Sequence, residues 1–239
     1  MLRMCEEHGY FRGESCPICG SDGKFLMSQQ EMDSLGRIMM GILRHFPERF
    51  GLKMDEQGFV DISQLVQAIR RSRSRRFRWL RPNHVIALAE TDPKGRYQIE
   101  GNAIRATYGH TIKIEDLELP TGDVPDYLYF PTSEEEAELL LERGIKPTDR
   151  AMVHLSKTYQ NAYEAGSVKI ENPIIIRVAA KEASEKGVVI YHAASTVYTT
   201  DFVPPEFLSV VKEGDPELEE MKDNAEEGKG EGVGSPSDD

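Results

Sequence analysis

Four residues near the start of the chain have the types and spacing of a metal site. Cys5 and His8 are separated by two residues, and so are Cys16 and Cys19, within the segment CEEHGYFRGESCPICG. A two-residue gap lets one tight turn present both ligands to the same ion. Three thiolates and one imidazole complete a tetrahedron and leave no open position for catalysis. The pattern predicts a structural zinc site in a zinc knuckle over residues 1–27. An iron centre, or three unrelated thiols beside a surface histidine, are the alternatives.

A second candidate for chemistry is the segment RRSRSRRFRWLRP, residues 70–82, which holds seven arginines and no acid. The planar guanidinium group matches the geometry of phosphate, so a run this dense favours a polyanion. We therefore predict that Arg73, Arg75 and Arg76 bind a polyanion such as a nucleic-acid backbone. A solvated helix face followed by a loop is the alternative.

The charge of the chain is unevenly distributed. The formal net charge is -12, but residues 213–239 alone carry eleven acids against two lysines. Their composition is too polar to offset the entropy of ordering, so a disordered acidic tail is predicted over residues 212–239. No run approaches 18 apolar residues, and the first ten residues lack the apolar core of a signal peptide, so a cytoplasmic protein is expected.

The elements that position these groups begin with a helix after Ser28. Ser28 and Glu31 form a capping box, and a buried stripe is predicted from the helical spacing of Met32, Leu35, Met39, Ile42, Leu43 and Phe46. Arg44 and His45 close this helix. A pair of cations that complements the helix dipole is one explanation of them.

Two further helices and a hairpin are predicted next. One helix follows Asp61 or Ser63 as its cap, and another follows Pro82. The segment RYQIEGNAIRAT alternates about Gly101-Asn102, which is a strong hairpin signal. Three helices followed by a hairpin predict a winged helix over residues 28–112, with the arginine run between its second and third helices.

The second half of the chain also mixes helices and strands, so the predicted fold class is α+β. Short strands are predicted at DYLYFPT, AMVHLS, PIIIRVA, VVIYHA and TVYTT, and helices at SEEEAELLLERG and KTYQNAYEAG. An acidic segment punctuated by proline and glycine, residues 113–126, is the predicted linker between the two parts.

Five motifs in order resemble the RNA 2′-phosphotransferases, the tRNA-splicing enzymes that use NAD. They are ILRHFPERFGLKMDEQGFVDISQLV, DPKGRYQI, IRATYGH, GIKPTDRAMVHLS and FVPPEFL. Five ordered matches over most of the chain are far more specific than any one of them. The third motif has Tyr108 where the family has glutamine.

The resemblance implies a winged-helix lobe that binds RNA and, over residues 127–211, an ADP-ribosyltransferase-like lobe that binds NAD. It implies removal of an internal 2′-phosphate from RNA, such as spliced tRNA, by transfer to NAD. Nicotinamide and ADP-ribose 1″,2″-cyclic phosphate would be released. The family's catalytic Arg-His-Arg-Arg set falls on Arg44, His45, Arg96 and Arg150.

The remaining binding residues follow from the same motifs. The NAD-binding residues implied are Phe130, Thr132, His154 and Ser156, and further RNA-binding residues are Lys94, Arg105 and His110. Phe130 and Pro131 replace a histidine and a glycine of the family, which weakens the prediction for NAD. Phe130 and His154 could instead be core residues of their strands, and His110 could close a domain interface.

Two other functions stay open at this point. One is a zinc-bearing RNA-binding protein that binds the phosphate without turnover, which the Phe130-Pro131 departure favours. The other is an ADP-ribosyltransferase that modifies a nucleic-acid phosphate and stops after the first step. The intact set of Arg44, His45, Arg96 and Arg150 favours the phosphotransferase. No obligate protein partner is evident in the sequence.

Overall fold

The computed structural model describes residues 1–72, 76–114, 117–212 and 214–218. The predicted RNA-binding residues Arg73 and Arg75 lie outside these residues, and so does most of the predicted tail. Helices and strands are mixed along the whole described chain, which confirms the α+β class. None of the described helices is both long enough and apolar enough to cross a membrane.

The chain divides into two compact units. The first contains Met1–Pro120, Thr148–Ala151 and Ala193–Ser195, and the remaining described residues form the second. The boundary after Pro120 lies inside the predicted linker. Arg150, however, belongs to the first unit, although the sequence-based division places it in the C-terminal lobe.

A small antiparallel sheet opens the first unit. Its strands are β1 (Leu2–Cys5), β2 (Gly9–Arg12) and β3 (Lys24–Met27), in the order β2-β1-β3. Leu2 and Met27 are fully buried and pack in the same core as the helices that follow. The sheet was not predicted from the sequence, and its inner side chains share a core with the predicted winged-helix segment.

Helix α1 (Gln29–Arg44) begins at the predicted capping box. The Ser28 N–H donates to Glu31 Oε2 over 2.8 Å, and the Glu31 N–H donates to Ser28 Oγ over 3.3 Å. Its buried face contains Met32, Leu35, Met39, Ile42 and Leu43, as predicted. The prediction was wrong for Phe46, which is 39% exposed. The helix has ended before Phe46, so the helical spacing no longer directs its side chain inward.

The rest of the first unit follows the predicted order. After a 3₁₀ helix at Pro47–Phe50 come β4 (Val60–Asp61), α2 (Ile62–Ser72), α3 (Pro82–Glu90), β5 (Tyr97–Glu100) and β6 (Ala103–Ala106). These strands form a sheet in the order β4-β6-β5. Asp61 caps α2 by accepting the Gln64 N–H over 2.8 Å. The hairpin turns at Gly101, whose φ of 56° is a conformation that glycine adopts without strain.

The remaining elements form a six-stranded sheet with three helices, all in the second unit except Ala193 and Ala194 at the end of β10. They are β7 (Leu128–Thr132), α4 (Glu134–Arg143), β8 (Val153–Ser156), α5 (Tyr159–Gly166), β9 (Ile174–Val178), α6 (Ala180–Glu185), β10 (Tyr191–Ala194), β11 (Val197–Thr200) and β12 (Leu208–Val210). The strand order is β10-β11-β8-β7-β9-β12. All five predicted strands and both predicted helices are present. Helix α6 and strand β12 were not predicted.

Candidate functional site

Arg44 lies in the last turn of α1, where its guanidinium group is enclosed by residues that follow β6. Its Cζ is 4.5 Å from the centre of the Tyr108 ring. A Cβ placed on Gly109 would lie only 3.0 Å from Arg44 Cζ, so the absence of a side chain there permits the approach. Burial lowers the pKa of Arg44, and Tyr108 opposes this shift. The group stays cationic because arginine keeps its proton in proteins.

His45 follows Arg44 as the C-cap of α1 and is fixed by Thr111. His45 Nδ1 and Thr111 Oγ1 are 3.0 Å apart, and the Thr111 N–H donates to the Arg44 carbonyl over 3.1 Å. Burial and the charges of Arg44 and Arg150 lower the pKa of His45. The imidazole is therefore neutral near pH 7 and suited to proton transfer.

Arg96 is held by a buried carboxylate. Its Nε and Nη2 donate to the two oxygens of Asp92 over 3.0 and 2.6 Å, and its backbone N–H also donates to Asp92 over 2.8 Å. The Asp92 side chain has no exposed surface, whereas that of Arg96 is 30% exposed. Burial would raise the pKa of Asp92, but the hydrogen bonds from Arg96 outweigh it and lower that pKa. The same hydrogen bonds raise the pKa of Arg96.

Arg150 is exposed and belongs to the first unit. The N–H of the next residue, Ala151, donates to the His110 carbonyl over 3.0 Å, which attaches this short segment to the residues after β6. The charge of Arg150 contributes to lowering the pKa values of both Arg44 and His45. The structure thus brings Arg44, His45 and Arg150, which are distant in sequence, into one electrostatic neighbourhood.

His110 is a buried member of the same neighbourhood, with 3% of its surface exposed. Burial, followed by the charges of Arg44 and Arg105, lowers its pKa to about 4. Its Nε2 is buried and has no hydrogen-bond partner among the described residues. The neutral ring is therefore packed inside the site. A contact between His110 and RNA was predicted, but the side chain is too buried for RNA to reach it.

The other predicted RNA-binding residues differ in exposure. Arg76 and Lys94 are exposed, as binding to RNA requires. Arg105 is only 2% exposed: its guanidinium donates to the Gln98 side chain and the Gln57 carbonyl, and its Cζ is 4.5 Å from the Phe59 ring. These contacts give Arg105 a structural role. A side chain that contacts an RNA phosphate would have to be exposed, and Arg105 is buried.

The predicted NAD-binding residues lie in the second unit, on β7 and β8. Phe130 is partly buried and packs against the core of that unit. This agrees with the alternative that Phe130 is a core residue of its strand. Thr132 is 1% exposed and its hydroxyl donates to Glu136 over 3.3 Å. His154 Nδ1 is 2.9 Å from the Met152 carbonyl oxygen, and Ser156 lies opposite Tyr129 in the sheet. The two strands are neighbours, so these four side chains lie on adjacent parts of one sheet.

The predicted metal ligands come together in the first unit. The ligand atoms of Cys5, His8, Cys16 and Cys19 all lie within 4.8 Å of one another. Cys5 Sγ and Cys19 Sγ are 3.7 Å apart, and His8 Nδ1 lies 3.5 Å from Cys5 Sγ. In a zinc tetrahedron two sulfurs lie about 3.8 Å apart, and a sulfur and a nitrogen about 3.5 Å. The residues therefore fit zinc.

The protonation chemistry of the cluster agrees with this fit. A hydrogen bond from Ser21 Oγ, with help from backbone N–H groups, lowers the pKa of the Cys5 thiol to about 6. The thiolate is the form that binds a metal. Because four protein ligands fill the tetrahedron, the site suits a structural ion rather than a catalytic one.

Two residues that hold the predicted catalytic side chains were not predicted from the sequence. Asp92 precedes Arg96 by four residues in TDPKGR, and this spacing of opposite charges was the available signal. Thr111 carries no such signal, because its contact with His45 spans 66 residues.

Comparison with known proteins gives a consistent result. Residues 29–202 match the sequence model of one protein family, which is described as RNA 2′-phosphotransferase, Tpt1 / KptA family. A probable RNA 2′-phosphotransferase of Thermoplasma acidophilum is 42% identical over 207 residues, covering 87% of this chain and 86% of that protein. One from Methanosarcina acetivorans is 42% identical over 213 residues, covering 89% of this chain and 100% of that protein. A probable RNA 2′-phosphotransferase 1 of Archaeoglobus fulgidus is 38% identical over 207 residues.

Proposed function

The chain belongs to the RNA 2′-phosphotransferase, Tpt1 / KptA family, and from this premise we propose that it removes a 2′-phosphate from RNA by transferring it to NAD. The observation that carries the proposal is the electrostatic neighbourhood of Arg44, His45 and Arg150 in the first unit. Arg96 is linked to it through Tyr108, which contacts Arg44 and, after Asp92, contributes to raising the pKa of Arg96. A 2′-phosphate beside an internucleotide phosphate concentrates negative charge. Several fixed guanidinium groups are the chemistry that binds such a group.

The proposed reaction has two steps. First, an oxygen of the RNA 2′-phosphate forms a bond to the ribose carbon of NAD that carries nicotinamide, and nicotinamide leaves with the electrons of the broken C–N bond. Second, the adjacent ribose hydroxyl attacks phosphorus, and the bond to the RNA 2′-oxygen breaks. The hydroxyl gives up a proton and the departing oxygen gains one. RNA with a free 2′-OH and ADP-ribose 1″,2″-cyclic phosphate are the products.

The protein's part in this chemistry is positioning and stabilisation of charge. Arg44, Arg96 and Arg150 would bind the phosphate and stabilise the charge that spreads over its oxygens in the transition state. His45, with its lowered pKa, would transfer the proton of the second step. Asp92 would keep Arg96 in one orientation through its two guanidinium hydrogen bonds.

We propose the remaining roles from the motifs. The three helices and hairpin of the first unit would act as a winged helix that binds RNA through Arg73, Arg75, Arg76 and Lys94. The second unit would act as an ADP-ribosyltransferase-like lobe, with NAD bound near Phe130, Thr132, His154 and Ser156. The cluster of Cys5, His8, Cys16 and Cys19 would hold one structural zinc ion. RNA with an internal 2′-phosphate, such as tRNA, and NAD would be the substrates.

One assay tests the activity. The purified chain is incubated with NAD and a short RNA that carries one internal 2′-phosphate, and nicotinamide and RNA products are followed in time. We expect nicotinamide release and dephosphorylated RNA only when both substrates are present. Arg150→Gln should abolish turnover, whereas Arg143→Gln, at an exposed position in the second unit, should not.

The same assay tests the alternatives. A chain that binds the 2′-phosphorylated RNA tightly but never releases nicotinamide would be the RNA-binding protein that the Phe130-Pro131 departure favours. Nicotinamide release with a lasting ADP-ribosylated RNA, and no free 2′-OH, would identify an ADP-ribosyltransferase. Either result overturns the proposed phosphotransferase activity.

A further inference from the structure

Tyr108 departs from the family motif, which has glutamine at this position, and its ring lies against a proposed catalytic residue. The centre of the ring is 4.5 Å from Arg44 Cζ. This is within the distance at which the negative face of an aromatic ring attracts a guanidinium group. Tyr108 comes two residues after β6 and Arg44 is in the last turn of α1, so the contact joins two separate elements.

The other neighbours of the Arg44 guanidinium leave part of it unpaired. Gly109 fits so closely that an added Cβ would be 3.1 Å from Nε and 3.2 Å from Nη1. Nε and Nη2 of Arg44 are nevertheless buried and have no hydrogen-bond partner among the described residues. Buried donors of a charged group are costly to leave unpaired, and a catalytic or binding role is one of the explanations for a group left in this state.

From these contacts, and resting on the proposed function, we propose that Tyr108 is a positioning residue that holds the Arg44 guanidinium so that its Nε and Nη2 remain available for the substrate phosphate. The face of the Tyr108 ring uses none of the in-plane N–H donors of Arg44. Tyr108 also forms a side-chain hydrogen bond that raises the pKa of Arg44, and Nε and Nη2 remain without a partner beside it. The amide of a glutamine could accept a hydrogen bond from Arg44 but would offer no ring face to the guanidinium group. The tyrosine therefore orients Arg44 and leaves two adjacent donors for the two oxygens of a phosphate.

The choice of variants separates this role from simple packing. Tyr108→Phe keeps the ring and its attraction for Arg44, whereas Tyr108→Leu removes the ring and keeps an apolar side chain. Tyr10→Leu is the control, because it removes a partly buried tyrosine from β2, in the three-stranded sheet of β1, β2 and β3 in the same unit. Thermal unfolding of each variant shows whether the fold is retained.

The readout is the ratio of dissociation constants for two RNAs that differ only in carrying a 2′-phosphate or a 2′-OH. Tyr108→Leu should reduce the preference for the 2′-phosphate by roughly 3- to 30-fold, the range expected for a cation–π contact. Tyr108→Phe and Tyr10→Leu should stay within about 2-fold of the unmodified chain. A loss in Tyr108→Phe as large as in Tyr108→Leu would assign the effect to the hydroxyl group and overturn the proposal.

A double-mutant cycle with Arg44→Lys provides a second test that does not depend on the absolute stability of Tyr108→Leu. Lysine lacks the planar face, so Tyr108→Leu should have little further effect on the preference in that background. Equal effects in both backgrounds would overturn the proposal. If the unmodified chain shows no preference for the 2′-phosphate, the proposed phosphotransferase function is wrong. This outcome differs from equal effects in both backgrounds, which would overturn only the role of Tyr108.

Discussion

The carboxylate of Asp92 binds the guanidinium group of Arg96 through two hydrogen bonds of 3.0 and 2.6 Å, and its side chain has no exposed surface. This pairing occupies Nε and one hydrogen of Nη2, so the remaining donors of Arg96 point in a fixed direction. Arg96 is thereby a preorganised cation, which is the property that stabilisation of a phosphoryl transition state requires.

Asp92→Asn should lower both stability and activity. The amide cannot accept from both guanidinium nitrogens, and it leaves a partly buried cation without its counter-charge. We expect the free energy of unfolding to fall by about 1–3 kcal/mol, together with a lower kcat for RNA dephosphorylation. Urea unfolding and single-turnover kinetics measure the two effects. Asp33→Asn, at an exposed position of α1, is the control. A stable Asp92→Asn protein with unchanged kcat would show that the pairing does not position Arg96 for the reaction.

The buried ring of His110 should make the stability of the chain depend on pH. Its pKa is about 4 in the folded protein and 6.5 is the usual value, so the unfolded state takes up a proton first as the pH falls. Its contribution is complete above about pH 6.5, is lost progressively between about pH 6.5 and 4, and amounts to about 3 kcal/mol at most. The measurement is urea unfolding at several pH values. His110→Gln should remove this part of the dependence, and an unchanged slope in that variant would contradict the assignment.

The charge of Arg150 should be detectable at His45. Burial, Arg44 and Arg150 lower the pKa of this imidazole, so an NMR titration should give a value below that of an exposed histidine. Removing one positive charge favours the protonated ring. Arg150→Gln should therefore raise the pKa of His45, whereas Arg143→Gln should leave it unchanged. The idea that the two residues share a site would be abandoned if neither substitution changed the titration.

Loss of the metal should destabilise the first unit. Leu2 and Met27, in the sheet of β1, β2 and β3, are fully buried in the same core as α1, so this sheet cannot unfold without exposing that core. Metal analysis should find about one zinc ion per chain. Cys16→Ser should lose the ion and lower the midpoint of thermal unfolding by on the order of 10 °C. Ser15→Ala is the neighbouring control. A chain free of zinc with an unchanged midpoint would refute a structural metal.

The arginine run should contribute to RNA affinity without reading sequence. Reversing Arg73, Arg75 and Arg76 to glutamate should weaken binding and reduce the slope of log affinity against log salt by roughly one unit per lost phosphate contact. A charge-matched variant reverses Arg143, Lys181 and Lys186 in the second unit. Equal losses in the two triple variants would attribute the effect to net charge rather than to a contact surface.

The sequence by itself determined the features that depend on short spacing. The ligand pattern of Cys5, His8, Cys16 and Cys19, the capping box at Ser28 and the hairpin at Gly101 all involve residues close in sequence. Local hydrogen bonds and turn geometry fix such features whatever the rest of the chain does. The motifs also identified Arg44, His45, Arg96 and Arg150 as the residues that carry the proposed chemistry.

Only the tertiary structure decided how those residues are held. The contacts of Tyr108 with Arg44 and of Thr111 with His45 each join residues more than 60 positions apart. The tertiary structure also buries Arg105 in the first unit, although the motif that contains Arg105 suggested an RNA contact. It places Arg150 in that unit as well. Such pairings depend on which elements pack together when the core forms, because burial is a property of the assembled fold and not of local spacing.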